Sequence, residues 1–135
     1  MGYTHYFGLQ NTDQRKFEKV AADCMKVCEA SGVRIFFEND EVQPPKFEKG
    51  EIRFNGAGED GHEPFILRPG ETGKLCKTAE KPYDLCVASC LIVLKHHFRK
   101  DFNVHSDGEN EDFAKARALC QKTLGYGEEF VLDTD

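Results

Sequence analysis

The spacing of apolar positions changes several times along the chain, and each change predicts an element. From Tyr3 to Leu9 aromatic and apolar residues alternate with polar ones, the period of a half-buried strand. Asn11 and Thr12 then offer an N-cap to a longer segment. There Phe17, Ala21, Cys24 and Cys28 recur at one-turn spacing, with Val20 and Val27 beside them. Gly32, after Ser31, is suited to a left-handed stop. A helix is therefore expected over residues 12–31.

Val33 to Phe37 is β-branched and aromatic and predicts a strand. Residues 38–50 hold Asn39-Asp40, Pro44-Pro45 and Gly50 and read as a loop. Strands are expected again at residues 51–55 and 63–67, separated by a turn over 56–61, and a short one at 75–78. Pro82 suits the first turn of a helix. From Leu85 to Leu94 the chain is uncharged and nearly all apolar, so a helix over about 82–98 would lie buried on every side. Phe102 to His105 predicts a strand. Ser106 and Glu109 have capping-box spacing ahead of a third helix, on which Phe113, Ala116, Cys120 and Leu124 share a face and Gly125 marks the end. Phe130 to Leu132 reads as a last edge strand. The order predicts a single α+β domain over residues 1–135, with a mostly antiparallel sheet and three helices, the middle one buried.

Composition narrows the functional classes. The chain has 135 residues, enough for one core, with a globular balance of 39% hydrophobic and 31% charged. Its 18 basic and 24 acidic residues give a net charge of −6, which argues against general nucleic-acid binding. The apolar run of residues 85–94 falls short of the roughly 20 residues of a membrane span. The opening residues match neither a secretory signal nor a myristoylation pattern. A cytoplasmic location and six reduced cysteines are therefore expected.

Several motifs have a plainer structural explanation. Gly56-x-Gly58-x-x-Gly61 has dinucleotide-fingerprint letters, but Pro64 and a strand pattern follow where a helix is required. Asp101, Asn103, His105 and Asp112 partly match a calcium loop, with Ser106 in place of its glycine. Cys24/Cys28 and Cys86/Cys90 have one-turn spacing among apolar residues, which suits core packing better than zinc. No metal or cofactor is expected. Cys76 stands in a polar stretch, where an exposed thiol beside a histidine would be a nucleophile. His96 and His97 diverge by about 100° on a helix and do not suit one metal.

Residues 77–84 (Lys-Thr-Ala-Glu-Lys-Pro-Tyr-Asp) carry the strongest suggestion of a site. Two lysines, a hydroxyl and a phenol gather where a helix N-terminus would present free N–H groups, an arrangement suited to an anion. The alternative is a solvated loop before an ordinary helix start. The N-terminal strand also carries polar tips that need partners if buried.

The opening residues 1–7 (Met-Gly-Tyr-Thr-His-Tyr-Phe) resemble a family of small uncharacterised bacterial and bacteriophage proteins that begin MGYTHY. The resemblance continues through residues 52–56, 63–65, 76–79, 81–85, 95–97, 106–108 and 124–127. Many members of that family carry Trp where this chain has Phe7 and Phe113. The resemblance implies a bacterial or phage cytoplasmic protein and brings no mechanism.

The resulting expectation is a protein that binds a small anionic or nucleotide-like ligand without turnover, as in sequestering a host defence signal. Its site would comprise His5, Tyr6, Asn55, Lys77, Thr78, Lys81, Tyr83, Asp84, Ser106 and Asp107. Lys77 and Lys81 would neutralise charge, Thr78 and Ser106 would donate hydrogen bonds, and Tyr6 or Tyr83 would stack. One alternative is an acidic inhibitor of a host protein, favoured by the tail residues Glu128, Glu129, Asp133 and Asp135. Another is a small enzyme using His5, Cys76 or Asp84. A homo-oligomer is compatible with each.

Overall fold

In the computed structural model, which describes residues 3–134, the chain folds as one α+β domain of seven strands and three α-helices. Met1 and Gly2 of the MGYTHY opening lie outside the described residues. Strand β1 (Thr4–Leu9) is central in a three-stranded antiparallel sheet, between β6 (Lys74–Lys77) and β7 (Phe102–Ser106). A second antiparallel sheet is built around β4 (Glu51–Gly56). It pairs with β2 (Ile35–Phe36), β3 (Lys46–Glu48) and β5 (Phe65–Leu67).

The helices are α1 (Gln14–Ser31), α2 (Asp84–Phe98) and α3 (Ala114–Leu124). The apolar face of α1 is buried as its spacing requires: Phe17, Val20, Ala21, Cys24, Val27 and Cys28. Its N-cap is Asp13 rather than Asn11 or Thr12. The Asp13 carboxylate accepts from the N–H groups of Arg15 (3.0 Å) and Lys16 (3.1 Å), while Asn11 accepts from Asp13 N–H. Gly32 and Gly125 end α1 and α3 in the left-handed conformation, at φ 72° and 83°.

Every residue of α2 from Cys86 to Leu94 is buried. The helix packs against α1, α3 and β7, so it has no solvent face in its middle. Among the described residues, no helix is long and apolar enough to cross a membrane.

Three expectations are corrected. The loop expected over 38–50 contains β3, whose ladder comes from β4 rather than from local propensity. Residues 130–132 form no strand; Leu132 N–H is held by Asn110 Oδ1, and Asp133 docks with its N–H on Val104 O and its carboxylate on Val104 N–H. The capping box lies one turn later than expected. Glu109 and Asp112 form it around a single 3-10 turn (Asn110–Phe113) before α3.

Candidate functional site

The strand register explains how distant residues meet. His5 on β1 stands directly opposite Ser106 on β7 and Cys76 on β6. Side chains opposite one another across a ladder share a face, and the His5 ring accordingly reaches Ser106 Oγ from Nδ1 at 2.8 Å. Its other nitrogen, Nε2, lies 2.7 Å from Asp84 Oδ1, on the first residue of α2. The hydroxyl of Thr78, just past β6, donates to the same oxygen at 2.6 Å. His5 and Thr78 are fully buried, whereas the Asp84 side chain keeps 21% exposure.

Donor and acceptor logic sets the polarity of this chain. A carboxylate only accepts, so Nε2 carries the proton. In the neutral ring Nδ1 then accepts from the Ser106 hydroxyl, whose oxygen also takes the Gly108 N–H at 2.9 Å. Tyr3 and Phe113 hold the imidazole edge-on, with ring centres at 5.2 and 5.4 Å. Two donors thus converge on Asp84 Oδ1, Oδ2 takes no hydrogen bond among the described residues, and Asp84 lines a cleft of about 220 Å³. Tyr3, Lys81, Asp84, Asp112 and Lys115 line the cleft with Glu80. Burial, together with the charges of Asp84 and Asp112, pushes the Tyr3 phenol up to about 12.

The backbone at this site is strained. The turn after β6 closes with Lys81 N–H on Thr78 O at 3.0 Å. Its two central residues, Ala79 and Glu80, have φ 54° and 57°. Such turns normally use Asn and Gly, because a Cβ in the left-handed region costs about 1–2 kcal/mol per residue. Here the turn brings Thr78 onto Asp84 and Lys81 to the cleft.

The structure brings His5, Thr78, Asp84 and Ser106 together, with Lys81 beside them. The other expected site residues lie elsewhere or are already occupied. Tyr83 is fully buried, its hydroxyl donating to Glu63 O at 2.5 Å, so it offers no face for stacking. Asn55 is buried and ties its own loop together through Gly56 N–H and both backbone groups of His62. Tyr6 projects from the opposite side of β1 and is exposed. Lys77 donates its backbone N–H to Glu63, and Asp107 pairs with the backbone of Thr4.

The free helix N-terminus expected near Pro82 is corrected as well. The N–H groups of Asp84, Leu85, Cys86 and Val87 all bond to the carbonyls of residues 81–83, so the first turn of α2 does not offer these four to an anion. The Gly56–Gly61 loop instead uses glycine for close approach. A Cβ on Gly56 would lie 2.4 Å from Asp60 O. Asp101 and Asp112, from the partial calcium pattern, bond separately to Asn11 and to the N–H of Glu109.

Cys76 is not an exposed thiol. It is fully buried, its Sγ donates to Glu63 O at 3.4 Å, and burial pushes it up to about 12. Cys24, Cys28, Cys86 and Cys90 lie between α1 and α2. The sulfurs of Cys28 and Cys90 are 3.7 Å apart, and Cys86 bonds Ser31 Oγ at 3.3 Å. Burial raises Cys24 and Cys90, and the Cys28 thiol beside it raises Cys86. Among the described residues, no group of three or more His, Cys, Asp or Glu side chains is placed to hold a metal ion. All six cysteines are buried, so an aromatic disulfide reagent is expected to titrate no thiol quickly in the native protein and all six after denaturation. A single fast thiol in the native state would contradict this packing.

A second polar cluster was missed in the sequence. Tyr126 stacks on His96 and donates to Asp23 Oδ2 at 2.6 Å, while His97 Nε2 lies 3.0 Å from the same oxygen. The available clue was Tyr126 directly after the helix-ending Gly125, where the chain must fold back. Comparison of the chain with protein-family models, curated proteins and solved structures gives no match.

Proposed function

We propose that the protein binds a small polar ligand, without turnover, in the cleft at the N-terminal end of α2. The observation that carries this reading is the Asp84 carboxylate, which lines the cleft, is fixed at one oxygen by the buried His5 and Thr78, and has no hydrogen bond at the other among the described residues. A carboxylate held in this way is preorganised for a hydrogen-bond donor on a ligand. Backbone strain at Ala79 and Glu80 also favours a functional role for this segment.

The lining defines the ligand class. Two lysines, Lys81 and Lys115, stand against three carboxylates, those of Glu80, Asp84 and Asp112. A simple anion would meet net negative charge. A nucleotide-like molecule suits the cleft better, with a donor edge for Asp84 and an anionic group for the lysines. The cleft is smaller than the roughly 300–1,000 Å³ of enclosing pockets, so it grips one end of such a ligand. In the bacterial or phage setting that the sequence resemblance implies, a binder of this kind sequesters its ligand, as a counter-defence protein sequesters a signal.

Native mass spectrometry of gently purified protein tests this reading. Wild-type protein is expected to carry an added mass of a few hundred daltons, lost in the Lys81→Ala/Lys115→Ala double variant. A bare chain, or a mass kept by the double variant, would count against the cleft. A retained protein would favour the inhibitor reading instead.

A second reading has its own observation. Ser106, His5 and Asp84 form a nucleophile–base–carboxylate chain at 2.8 and 2.7 Å. Binding remains the better reading because Ser106 does not line the cleft. Ester hydrolysis abolished by Ser106→Ala would reverse that preference.

A further inference from the structure

We propose a second binding site at the opposite end of α2, a cavity of about 560 Å³ that takes a flat aromatic ring carrying one phosphate, the chemistry of a nucleoside monophosphate. It is independent of the first site. At 1.5 Å per residue, the 15-residue helix separates the two by about 20 Å. The volume lies within the range that encloses small ligands.

The first element is a preformed stacking platform. The rings of His96 and Tyr126, which both line the cavity, lie 3.7 Å apart with planes 10° from parallel. Three elements of the fold hold the pair. His96 stands on α2. Tyr126 follows the left-handed Gly125 that ends α3, which turns the chain back over α2. Asp23 on α1 accepts the Tyr126 hydroxyl and, on the same oxygen, the His97 ring. Partial desolvation and the neighbouring His97 and Arg99 lower His96, which favours the neutral imidazole for stacking. A flat ring added to this pair extends an existing stack at little entropic cost.

The second element is an unneutralised cation. Lys95, on the cavity wall, is already held by Asp133 and by Phe102 O, each at 2.7 Å. Arg99 also lines the cavity and takes part in none of the ion pairs among the described residues. It ends α2 at φ 51°, ψ −121°, a conformation suited to glycine, yet the residue is arginine. A guanidinium at a position whose backbone prefers glycine is accounted for by what the side chain binds, and phosphate matches its planar fork. The carboxylates of Glu128 and Glu129, also lining the cavity, disfavour a polyphosphate and accept the donors of a base or ribose.

Titration with adenosine 5′-monophosphate, followed by ¹H–¹⁵N NMR with adenosine and inorganic phosphate as controls, tests the proposal. The nucleotide is expected to shift the amides of Arg99 and Tyr126 at millimolar concentration or below, and phosphate alone to leave them unmoved. His96→Ala is expected to weaken binding roughly tenfold, the scale of one lost stacking contact. Arg99→Gly is expected to weaken it similarly while the thermal midpoint does not fall, because glycine adopts this φ freely. Wild-type affinity in both variants, or no shifts around the cavity, would overturn the proposal. Shifts confined to Lys81 and Asp84 would also overturn it while supporting the first site.

Discussion

Asp84→Ala is expected to destabilise the protein by about 3 kcal/mol, the scale of two donors left without an acceptor in the interior. Nε2–H of His5 and the hydroxyl of Thr78 both end on Asp84 Oδ1, and neither side chain reaches water. Alanine leaves both unsatisfied and removes the negative charge from the first turn of α2. Asp84→Asn keeps one acceptor oxygen for His5 and Thr78 and is expected to cost about half as much. It replaces the free carboxylate oxygen with an amide donor, so ligand retention is expected to fall in both variants. Urea denaturation of the three proteins separates the effects. A loss below about 1 kcal/mol in Asp84→Ala would mean that His5 has another partner in solution.

Leu91→Ala is expected to cost about 4 kcal/mol, in the upper part of the range for buried leucine. Leu91 is fully buried in the middle of α2, where every neighbouring residue of the helix is buried as well. A helix on the surface of a core can settle into a cavity from one side. This helix is enclosed by α1, α3 and β7, so little collapse is available and most of the cavity remains. Chemical denaturation measures the loss, and the folded far-ultraviolet spectrum should persist below the transition. A cost under 2 kcal/mol would show that the surrounding helices relax into the space.

The elements legible in the sequence were those whose own residues decide them. The one-turn spacing of Phe17, Ala21, Cys24 and Cys28 requires a buried helix face. Gly32 and Gly125 stop α1 and α3 because they accept a left-handed conformation. The ten-residue run from Leu85 to Leu94 requires a helix enclosed on all sides. What could not be read depends on distant partners. Strand β3 follows two prolines and exists because β4 supplies its ladder. Ser106 looked like a cap, but its oxygen is claimed by His5, 101 positions away in sequence. The buried polar tips of the first strand implied partners, and three-dimensional register alone identifies them.

The candidate site divides the same way. His5, Thr78, Asp84, Ser106 and Lys81 come from three separate stretches, and the pairing of β1 with β6 and β7 joins them. Tyr83 and Asn55 have the polarity of ligand-binding residues but spend it internally, on Glu63 O and on the His62 loop. Residue type alone does not separate these two uses, because both require a polar atom that is satisfied away from bulk water. The free N–H groups expected at the start of α2 are taken up for a local reason. A turn over residues 81–83 consumes the N–H groups that an isolated helix would leave free.

A crystal structure of protein purified gently from expressing cells, without dialysis, tests ligand binding at the Asp84 cleft most directly. Connected density larger than water is expected within hydrogen-bond distance of Asp84 Oδ2, reaching toward Lys81 or Lys115. Ordered water alone in that cleft, in a preparation whose native mass spectrum shows a retained ligand, would place the ligand elsewhere and contradict the proposed site.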